Sequence, residues 1–298
     1  MLLGNSRRLP RVDLYGTFQR SIRSYLSLRG VTSNVTTIQG HEVHYYDLKG
    51  SGHGPPLLLV HGLGGNANGF AQTLFTLAKR FPRVVALDLP GNGFSPNPPA
   101  GALALQDYIG VLQAFCERIV VEPAFVVGNS LGGAMSITLA SMAPARVRAL
   151  GLVAPAGARV PLERIQETLK NLDVKDTQDS RALLRRLFHR APLPALIAAA
   201  EFKKMYQTAA VKGVLAELSS GASSSLEPDV LAGLTMPVLL IWGGSEKLLP
   251  YEGIDYFKAH LPPHARVRVV KGFGHVPQVE RPRALARELI AFADEAGL

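Results

Sequence analysis

The chain has 298 residues, of which 47% are hydrophobic and 18% are charged, and its formal net charge is +9. This composition is typical of a soluble globular protein. The basic residues are scattered among acids and form no basic-aromatic motif, so we predict no nucleic-acid partner. No apolar run approaches the roughly 20 residues that span a bilayer. We find no secretory signal at the N-terminus, so a cytoplasmic location is expected.

The only cysteine, Cys116, lies in an apolar stretch with helical spacing. A single cysteine cannot form an internal disulfide framework or a thiolate metal cluster. Cys116 is therefore predicted to be a small buried hydrophobe, and we predict neither a metal ion nor a cofactor.

Residues 1–30 form a basic N-terminal segment that contains a single acid, Asp13. Apolar residues recur at helical spacing from Asp13 to Leu28, which predicts an amphipathic helix. In the favoured interpretation this helix packs against the body or edges the site. In the alternative it makes a peripheral contact with an anionic membrane. The apolar residues are Leu14, Phe18, Ile22, Tyr25 and Leu26, and the arginines are Arg7, Arg8, Arg11, Arg20, Arg23 and Arg29.

Short apolar runs alternate with helical segments along most of the chain. This alternation predicts an α/β fold with a mostly parallel sheet and helices on both faces. The first two strands are expected to pair as a hairpin or a sheet edge. The predicted strands are residues 35–39, 43–47, 57–60, 84–87, 124–127, 150–153, 238–242 and 267–270, and the predicted helices of the core are residues 70–80, 105–120, 131–142, 251–260 and 283–296.

The interval between residues 153 and 238 contains no convincing strand. Apolar residues recur in it at helical spacing, and prolines separate the helical candidates. We therefore predict that residues 157–232 form a helical cap inserted after the sixth strand. Residues 31–156 and 233–298 are predicted to form the α/β core.

Residues 125–133 have the sequence Phe-Val-Val-Gly-Asn-Ser-Leu-Gly-Gly, in which an apolar strand leads through Gly-x-Ser-x-Gly into a helix. This is the form of a nucleophile elbow, a tight turn that leaves the central serine exposed. Glycine is needed two residues to either side because a side chain there would collide with neighbouring backbone. The N–H groups that begin the helix can stabilise a developing oxyanion. Ser130 is the predicted nucleophile.

A serine hydroxyl needs a base, and histidine is the usual one because its pKa lies near neutral pH. His275 follows the last predicted strand in a glycine-bracketed loop, and it is the predicted base. The predicted acid is Glu246, which follows the strand 238–242 and lies between serine and histidine in chain order. Asp255 and Glu252 are weaker alternatives because they lie within the next predicted helix.

His61 opens the sequence His-Gly-Leu-Gly-Gly directly after a predicted buried strand. We predict a structural role for His61, and because such a turn can present backbone N–H groups, we predict that its loop supplies half of the oxyanion hole. The oxyanion hole is then formed by the N–H groups of Leu63 and Leu131. Asp88 and Glu280 are interpreted as residues that brace turns. Surface or structural positions are expected for the remaining histidines, which are His41, His44, His53, His189, His260 and His264.

From about residue 35 to the C-terminus, the order of these motifs resembles that of the α/β-hydrolase family. The residues that carry the resemblance are His61-Gly62, the run 88–95 (Asp-Leu-Pro-Gly-Asn-Gly-Phe-Ser), the elbow at Ser130, the segment 237–250 and Gly274-His275. The resemblance implies a twisted sheet of about eight strands and a Ser–acid–His triad. In many members it also implies a helical cap after the sixth strand.

The Gly-Asn-Ser-x-Gly-Gly elbow is similar to that of capped esterases and lipases related to monoacylglycerol lipases. It also resembles the elbow of hydrolases that cleave carbon–carbon bonds in meta-cleavage products. Two positions depart from the family pattern. The acid is usually aspartate but is Glu246 here, and the turn after Asp88 more often has histidine where this chain has Asn92.

Together these observations predict a serine hydrolase that cleaves carboxylic esters through Ser130, His275, Glu246 and an acyl-enzyme. The expected partner is a small apolar ester, either an acyl glycerol or a short- to medium-chain acyl ester. One alternative is a carbon–carbon bond hydrolase, which uses the same triad, and another is a ligand receptor on the same fold. The cap residues taken to suggest an apolar acyl pocket are Leu162, Ile165, Phe188, Ile197, Met205 and Tyr206.

Overall fold

A computed structural model describes residues 13–99, 101–221 and 225–298. Arg7, Arg8 and Arg11, which belong to the basic N-terminal segment, lie outside these described residues. In the described part of the chain, no helix is both long enough and apolar enough to cross a membrane.

Within these described ranges, eight strands form one sheet, in the order β1-β2-β4-β3-β5-β6-β7-β8. The first two form the predicted hairpin at one edge of the sheet, and β2 also pairs antiparallel with β4. All other pairings are parallel, which confirms the predicted α/β fold. The strands are β1 (Thr32–Ile38), β2 (His41–Lys49), β3 (Leu57–Val60), β4 (Arg83–Leu87), β5 (Ala124–Asn129), β6 (Val147–Val153), β7 (Val238–Gly243) and β8 (Arg266–Val270).

Helices separate the parallel strands, as the alternation in the sequence predicted. The predicted helix 105–120 changes to a π-helical turn over its last residues, Cys116–Val120. The α-helices of the described residues are α1 (Leu14–Leu28), α2 (Ala71–Leu77), α3 (Leu105–Phe115), α4 (Leu131–Met142), α5 (Leu162–Leu172), α6 (Thr177–Leu187), α7 (Leu193–Ile197), α8 (Ala199–Tyr206), α9 (Ala209–Ser219), α10 (Pro228–Ala232), α11 (Glu252–His260), α12 (Pro277–Glu280) and α13 (Pro282–Glu295).

The sheet is covered on both faces, and this explains the continuous apolar runs of its central strands. Along β3, Leu58 and Val60 join one apolar cluster with residues of α3, α4 and α11. Leu57 and Leu59 join a second cluster with residues of α1, α2 and α13. Alternate side chains of a strand point to opposite faces. A strand covered on both faces is therefore apolar at every position.

Helices α5 to α9 follow β6 and build a separate apolar cluster over the carboxyl end of the sheet. Its centre contains Leu183, Leu187 and Phe188 from the α6 region, together with Tyr206 from α8. Leu248, from the loop after β7, joins the same cluster and connects it to the body. The boundaries 157–232 of the cap stay a prediction.

Helix α1 begins at the N-cap Asp13, whose side chain accepts a hydrogen bond from the N–H of Gly16 at 3.1 Å. The helix contacts the body, as the favoured interpretation expects, through Leu26 and Ile22, but most of the apolar residues that define its predicted face are not buried there. Leu26 is buried, but Leu14 is 60% exposed and Phe18 is 61% exposed. The helix instead buries the polar Gln19, whose side-chain oxygen accepts a hydrogen bond from Asn68.

Candidate active site

Ser130 lies in the sharp turn between β5 and α4. Its backbone angles are φ 55° and ψ −120°, a conformation that a residue with a side chain rarely adopts. A Cβ atom at Gly132 would lie 2.5 Å from the carbonyl oxygens of Val60 and His61. One at Gly128 would collide with the backbone of Gly132. The glycines of the elbow are therefore required by close backbone packing, and the strained turn presents the serine.

The loop after β3 passes directly beside this serine. A Cβ atom at Gly62 would lie 2.9 Å from the Cβ atom of Ser130. Leu63, Ser130 and Leu131 line the same cavity. Among the described residues, the N–H groups of Leu63 and Leu131 donate to no backbone carbonyl. Two N–H groups flanking the serine are the arrangement that an oxyanion hole requires.

His61 stabilises this loop through hydrogen bonds of its ring. Its ring is buried, Nδ1 lies 2.8 Å from the carbonyl oxygen of Gly62, and Nε2 lies 3.1 Å from the backbone nitrogen of Leu89. Nε2 can only accept from an N–H group, so Nδ1 carries the proton and donates to Gly62. Burial lowers the pKa of His61, which favours the neutral ring. Both ring nitrogens of His61 therefore have a backbone partner that helps to hold the loop in place.

His275 and Glu246 are in direct contact. Nδ1 of His275 lies 2.8 Å from Oε2 of Glu246, and both side chains are 3% exposed. Glu246 lies in the loop after β7, whereas His275 follows β8, so the two loops meet at the carboxyl edge of the sheet. A carboxylate on Nδ1 fixes the imidazole tautomer and leaves Nε2 free to act as a base.

Glu246 is held as a carboxylate. Its other oxygen, Oε1, accepts hydrogen bonds from the N–H groups of Lys247, Leu248 and Leu249 at 2.8–3.1 Å. Burial raises the pKa of Glu246, but the charge and hydrogen bond of His275 and the N–H groups of Leu248 and Leu249 outweigh it. The pKa therefore lies below the usual value. Both oxygens have partners, so the buried charge is stabilised.

The elbow and the histidine loop are joined through the backbone. Nδ2 of Asn129 donates to the carbonyl oxygens of Val153 and His275, each at 3.0 Å. The hydroxyl of Ser130 makes no hydrogen bond with His275 in the described part of the chain. In hydrolases this bond often tightens only when substrate is bound. The structure thus joins His275 to Glu246 directly, and Asn129, the residue before Ser130, binds the carbonyl oxygen of His275.

Gln278 and Leu187 support the site although neither was singled out from the sequence, and Glu280 supports it as well. Nε2 of Gln278 donates to Oδ1 of Asn129 at 2.9 Å. The N–H of His275 donates to the carbonyl oxygen of Leu187, at the end of α6, at 2.8 Å. Glu280 accepts from the N–H groups of Gly274 and His189. Its predicted turn-bracing role thus extends to joining the cap to the histidine loop.

A cavity of about 190 Å³ opens beside Ser130 beneath the cap. Residues from α3, α4 and α5 and from the loops after β6 and β7 line it, and none of the described lining residues carries a charge. Within the described ranges, no three His, Cys, Asp or Glu side chains converge as a metal site would require. The cavity is suited to an uncharged, largely apolar group.

The predicted set of pocket residues in the cap is mostly wrong. Of the six, only Ile165 lines the cavity. Phe188 and Tyr206 pack in the interior of the cap, while Leu162 and Ile197 are 63% and 72% exposed. Other residues within the predicted cap range line the cavity too, and they are Gly157, Ala158, Val160, Thr168, Leu169, Leu172, Leu218, Ser225 and Leu226. Many apolar residues of the cap therefore pack against one another instead of lining the cavity.

The family model for the α/β-hydrolase fold matches residues 55–282. Among curated proteins, the chain is 29% identical over 278 residues to the dihydrolipoyllysine-residue acetyltransferase component of the acetoin cleaving system of Pseudomonas putida, covering 89% of this chain and 70% of that protein. It is 25% identical to lipase 3 of Moraxella sp. (strain TA144), covering 96% and 92%. It is 30% identical to the pimeloyl-[acyl-carrier protein] methyl ester esterase of Xanthomonas axonopodis pv. citri, covering 76% and 90%.

Two solved structures are also similar. A bacterial membrane phospholipase A, described as a virulence factor, has a TM-score of 0.83 and 28% identity, covering 96% of this chain and 93% of that one. A 2-hydroxy-6-oxo-6-phenylhexa-2,4-dienoate hydrolase from Rhodococcus sp. strain RHA1 has a TM-score of 0.75 and 23% identity, covering 89% and 99%. The second likeness extends to the fold alone.

Proposed function

The chain belongs to the α/β-hydrolase family. Its similarity to a lipase and an esterase supports an ester-acting hydrolase. From the geometry of its site, we propose that it cleaves carboxylic esters of uncharged apolar acyl groups through a covalent acyl-enzyme on Ser130. The observation that carries this proposal is the His275–Glu246 pair beside a strained serine that opens onto an uncharged cavity.

In the acylation step, Nε2 of His275 takes the proton of the Ser130 hydroxyl as its oxygen attacks the ester carbonyl. Glu246 stabilises the imidazolium and keeps its tautomer. The N–H groups of Leu63 and Leu131 bind the oxyanion of the tetrahedral intermediate. His275 then protonates the departing alcohol, and the acyl group stays on the serine oxygen.

In the deacylation step, His275 removes a proton from water, which attacks the acyl-enzyme carbonyl. The second tetrahedral intermediate is stabilised by the same two N–H groups. Collapse releases the free acid and returns the proton to Ser130. Each step uses the same base, so loss of either Ser130 or His275 stops turnover.

The uncharged cavity favours this proposal over the carbon–carbon hydrolase. A carbon–carbon hydrolase of the dienoate type binds an anionic substrate, for which a cationic lining residue is expected, and the described lining has none. An ester with a neutral acyl chain needs no such charge. The names of the lipase and esterase relatives agree with this choice.

Ser130→Ala should abolish hydrolysis of p-nitrophenyl esters, with a loss of roughly 10⁶-fold in kcat. The matched control is Ser136→Ala, on the same α4 helix, whose hydroxyl only donates to the carbonyl of Gly132. The control should keep its turnover, and circular dichroism should show both variants folded. Retained activity in Ser130→Ala would refute the mechanism. Faster wild-type cleavage of a 2-hydroxy-6-oxo-dienoate than of any ester would favour the carbon–carbon alternative.

We further propose that the enzyme meets its substrate at a lipid surface through α1. The exposed residues Leu14, Phe18, Tyr25 and Leu28 recur along one side of this helix. Arg20 and Arg29 lie beside them and are exposed. Apolar residues flanked by arginine are the pattern of a helix that lies in the interface of an anionic bilayer.

Sedimentation with vesicles of phosphatidylglycerol and phosphatidylcholine tests this contact. Phe18→Ser should reduce the bound fraction, whereas Leu162→Ser, at a residue of similar exposure on the cap, should not. Binding should also weaken at high salt because arginine attraction to anionic lipid is screened. Equal sedimentation of wild type and Phe18→Ser would dismiss the membrane contact without affecting the proposed chemistry.

A further inference from the structure

One short part of the cap, residues 187–189 at the end of α6, lies directly against the histidine loop. The carbonyl oxygen of Leu187 accepts a hydrogen bond from the N–H of His275 at 2.8 Å. A Cβ atom at Gly274 would lie only 2.6 Å from the backbone nitrogen of His189. The base of the candidate site therefore shares its backbone contacts with the cap.

Lys247 joins the same cap residues to the loop that carries the acid. Its Nζ donates to the carbonyl oxygens of Phe188 and His189, at 3.1 and 2.9 Å. Its backbone N–H donates to Oε1 of Glu246 at 3.0 Å. Nζ forms no ion pair with any carboxylate of the described residues. One residue thus contacts the acid through its backbone and the cap through its side chain.

These contacts suit the end of a helix. The last carbonyl groups of an α-helix have no partner within the helix, and they carry the negative end of its dipole. An ammonium group donates up to three hydrogen bonds, so Lys247 can bind two such carbonyls at once. The N–H of His189 is bound as well, since it donates to Oε2 of Glu280 at 2.9 Å. The two backbone groups of His189 therefore bind residues of two different loops.

The two loops also contact each other without the cap. The N–H of Ser245 donates to the carbonyl oxygen of Phe273 at 2.9 Å. This contact precedes Glu246 and His275 in their loops, whereas the cap is bound by His275 itself and by the residue that follows the acid. Loss of the cap contact should therefore displace the pair without separating the loops.

We propose that Lys247 is a positioning residue, which aligns Glu246 with His275 by binding the acid loop to cap residues 187–189. This inference rests on the proposed ester hydrolysis through the same pair. A triad acid acts only while it stays aligned with Nδ1 of its histidine. Displacement of a catalytic group by about 1 Å can cost roughly 10²-fold in rate. The cap thus takes part in catalysis through the position of the acid, in addition to covering the cavity.

The first test is Lys247→Met, which keeps the apolar part of the side chain and removes the ammonium group. With a p-nitrophenyl ester, kcat and kcat/KM should both fall about tenfold with KM unchanged, because the pair stabilises the transition state and not the bound substrate. Rates are expressed per active site, counted by complete fluorophosphonate labelling of Ser130, so a lower folded fraction does not contribute. An unchanged kcat would overturn the proposal.

Two matched variants separate position from charge. Lys271→Met removes the same charge just after β8, from an exposed lysine that forms no ion pair with the described residues, and it should keep the wild-type kcat. Lys247→Arg should restore most of kcat, because a guanidinium can also donate to two carbonyls. An equal loss in Lys271→Met, or no recovery in Lys247→Arg, would contradict a positioning role.

The last test observes the pair directly and does not depend on turnover. A proton in a charge-assisted hydrogen bond between imidazole Nδ1 and a buried carboxylate gives a far-downfield proton NMR signal. The described residues contain a second such pair, since Nδ1 of His44 lies 2.7 Å from Asp88, and it serves as an internal reference. The signal that is lost in Glu246→Gln belongs to His275.

Lys247→Met should shift or broaden the His275 signal and leave the His44 signal unchanged. Movement of neither signal, or of both alike, would overturn the proposal even if esters are substrates. A change confined to the His275 signal, in a protein that hydrolyses no ester, would instead refute the proposed function and leave the role of Lys247 in placing the pair.

Discussion

The described part of the chain contains two buried pairs in which Nδ1 of a histidine contacts a carboxylate, and only one of them belongs to the candidate active site. His275 contacts Glu246 at 2.8 Å, and His44 contacts Asp88 at 2.7 Å. The second pair even extends to a serine, since Oγ of Ser33 lies 2.8 Å from Nε2 of His44. By hydrogen bonds alone, Ser33–His44–Asp88 is the more complete Ser–His–acid chain.

The surroundings of the two serines differ in every respect that matters for catalysis. Ser33 lies within β1, in regular antiparallel register with Tyr46 of β2. Ser130 lies in a strained turn and opens onto a cavity. Leu63 and Leu131 line the same cavity, and their N–H groups donate to no backbone carbonyl of the described residues. A hydrogen-bonded triad therefore does not by itself make a nucleophile. The backbone around the serine makes the difference.

The two carboxylates also divide their hydrogen bonds differently. In Glu246, one oxygen accepts three backbone N–H groups, and the other has His275 as its only partner among the described residues. In Asp88, Oδ1 accepts from the N–H of Ala67 at 2.6 Å, and Oδ2 accepts from the N–H of Phe94 at 2.9 Å as well as contacting His44. Asp88 thus ties three segments together, whereas Glu246 keeps one oxygen for its histidine.

Of the substitutions that test this comparison of the two pairs, Glu246→Gln should have the largest effect, and the effect is on turnover. The amide oxygen can keep the three N–H donors, so the amide NH₂ faces His275 and forces the wrong tautomer. We expect kcat to fall roughly 10⁴-fold, measured with a p-nitrophenyl ester, with the fold retained. A near-normal rate would move the acid to another residue, and Glu252 and Asp255 would be the next to substitute.

The matching change at the other pair should act on stability. In Asp88→Asn, either amide position faces a backbone N–H, so one donor is always opposed by another. We expect the free energy of unfolding in urea to fall by about 3 kcal/mol, with kcat per folded molecule unchanged. An equal loss of kcat in Asp88→Asn would show that the second pair takes part in catalysis.

The smallest expected effect is on the pH dependence of stability. The pKa of Glu246 is lower in the folded protein than the ordinary value of 4.5. The folded state then binds fewer protons than the unfolded one near that pH. The stabilisation is full above pH 4.5 and is lost as the pH falls through the folded-state pKa. Urea unfolding should show wild type losing stability over this window more steeply than Glu246→Gln, and parallel curves would contradict the shift.

Most of the body of the fold could be predicted because its signals are local. A continuous apolar run is stable only when both faces are covered, so residues 57–60 were predicted as a strand and form β3. The helix predicted at residues 131–142 coincides with α4 (Leu131–Met142). In both cases the apolar pattern and the structure that buries it lie within one short segment.

The cap and α1 were predicted less well because helical spacing indicates an apolar face but not its partner. Phe188 and Tyr206 were predicted to line the pocket, yet they pack against other cap residues. Phe18 and Leu26 belong to the same helical pattern, but only Leu26 packs against the body. Which apolar residues of a helix are buried depends on the elements that pack against it. Those elements are distant in sequence, so the pattern of one helix does not reveal them.

The candidate site also contains residues that could be predicted from the sequence and residues that could not. Ser130, His275 and Glu246 could be found because each follows a strand in a recognisable loop. The bond from Gln278 to Asn129 joins residues 149 positions apart, and no local pattern indicates it. The hydrogen bonds from Lys247 to the cap likewise join residues that are far apart in the sequence.

The most direct test of this account is covalent labelling of the whole protein with a fluorophosphonate probe, followed by peptide mass mapping. We predict that Ser130 is labelled stoichiometrically and that Ser33 is not, although only Ser33 is hydrogen-bonded to its histidine. Labelling without turnover of any ester would favour the receptor alternative. Labelling of Ser33, or none at Ser130, would contradict the claim that the strained elbow makes the nucleophile.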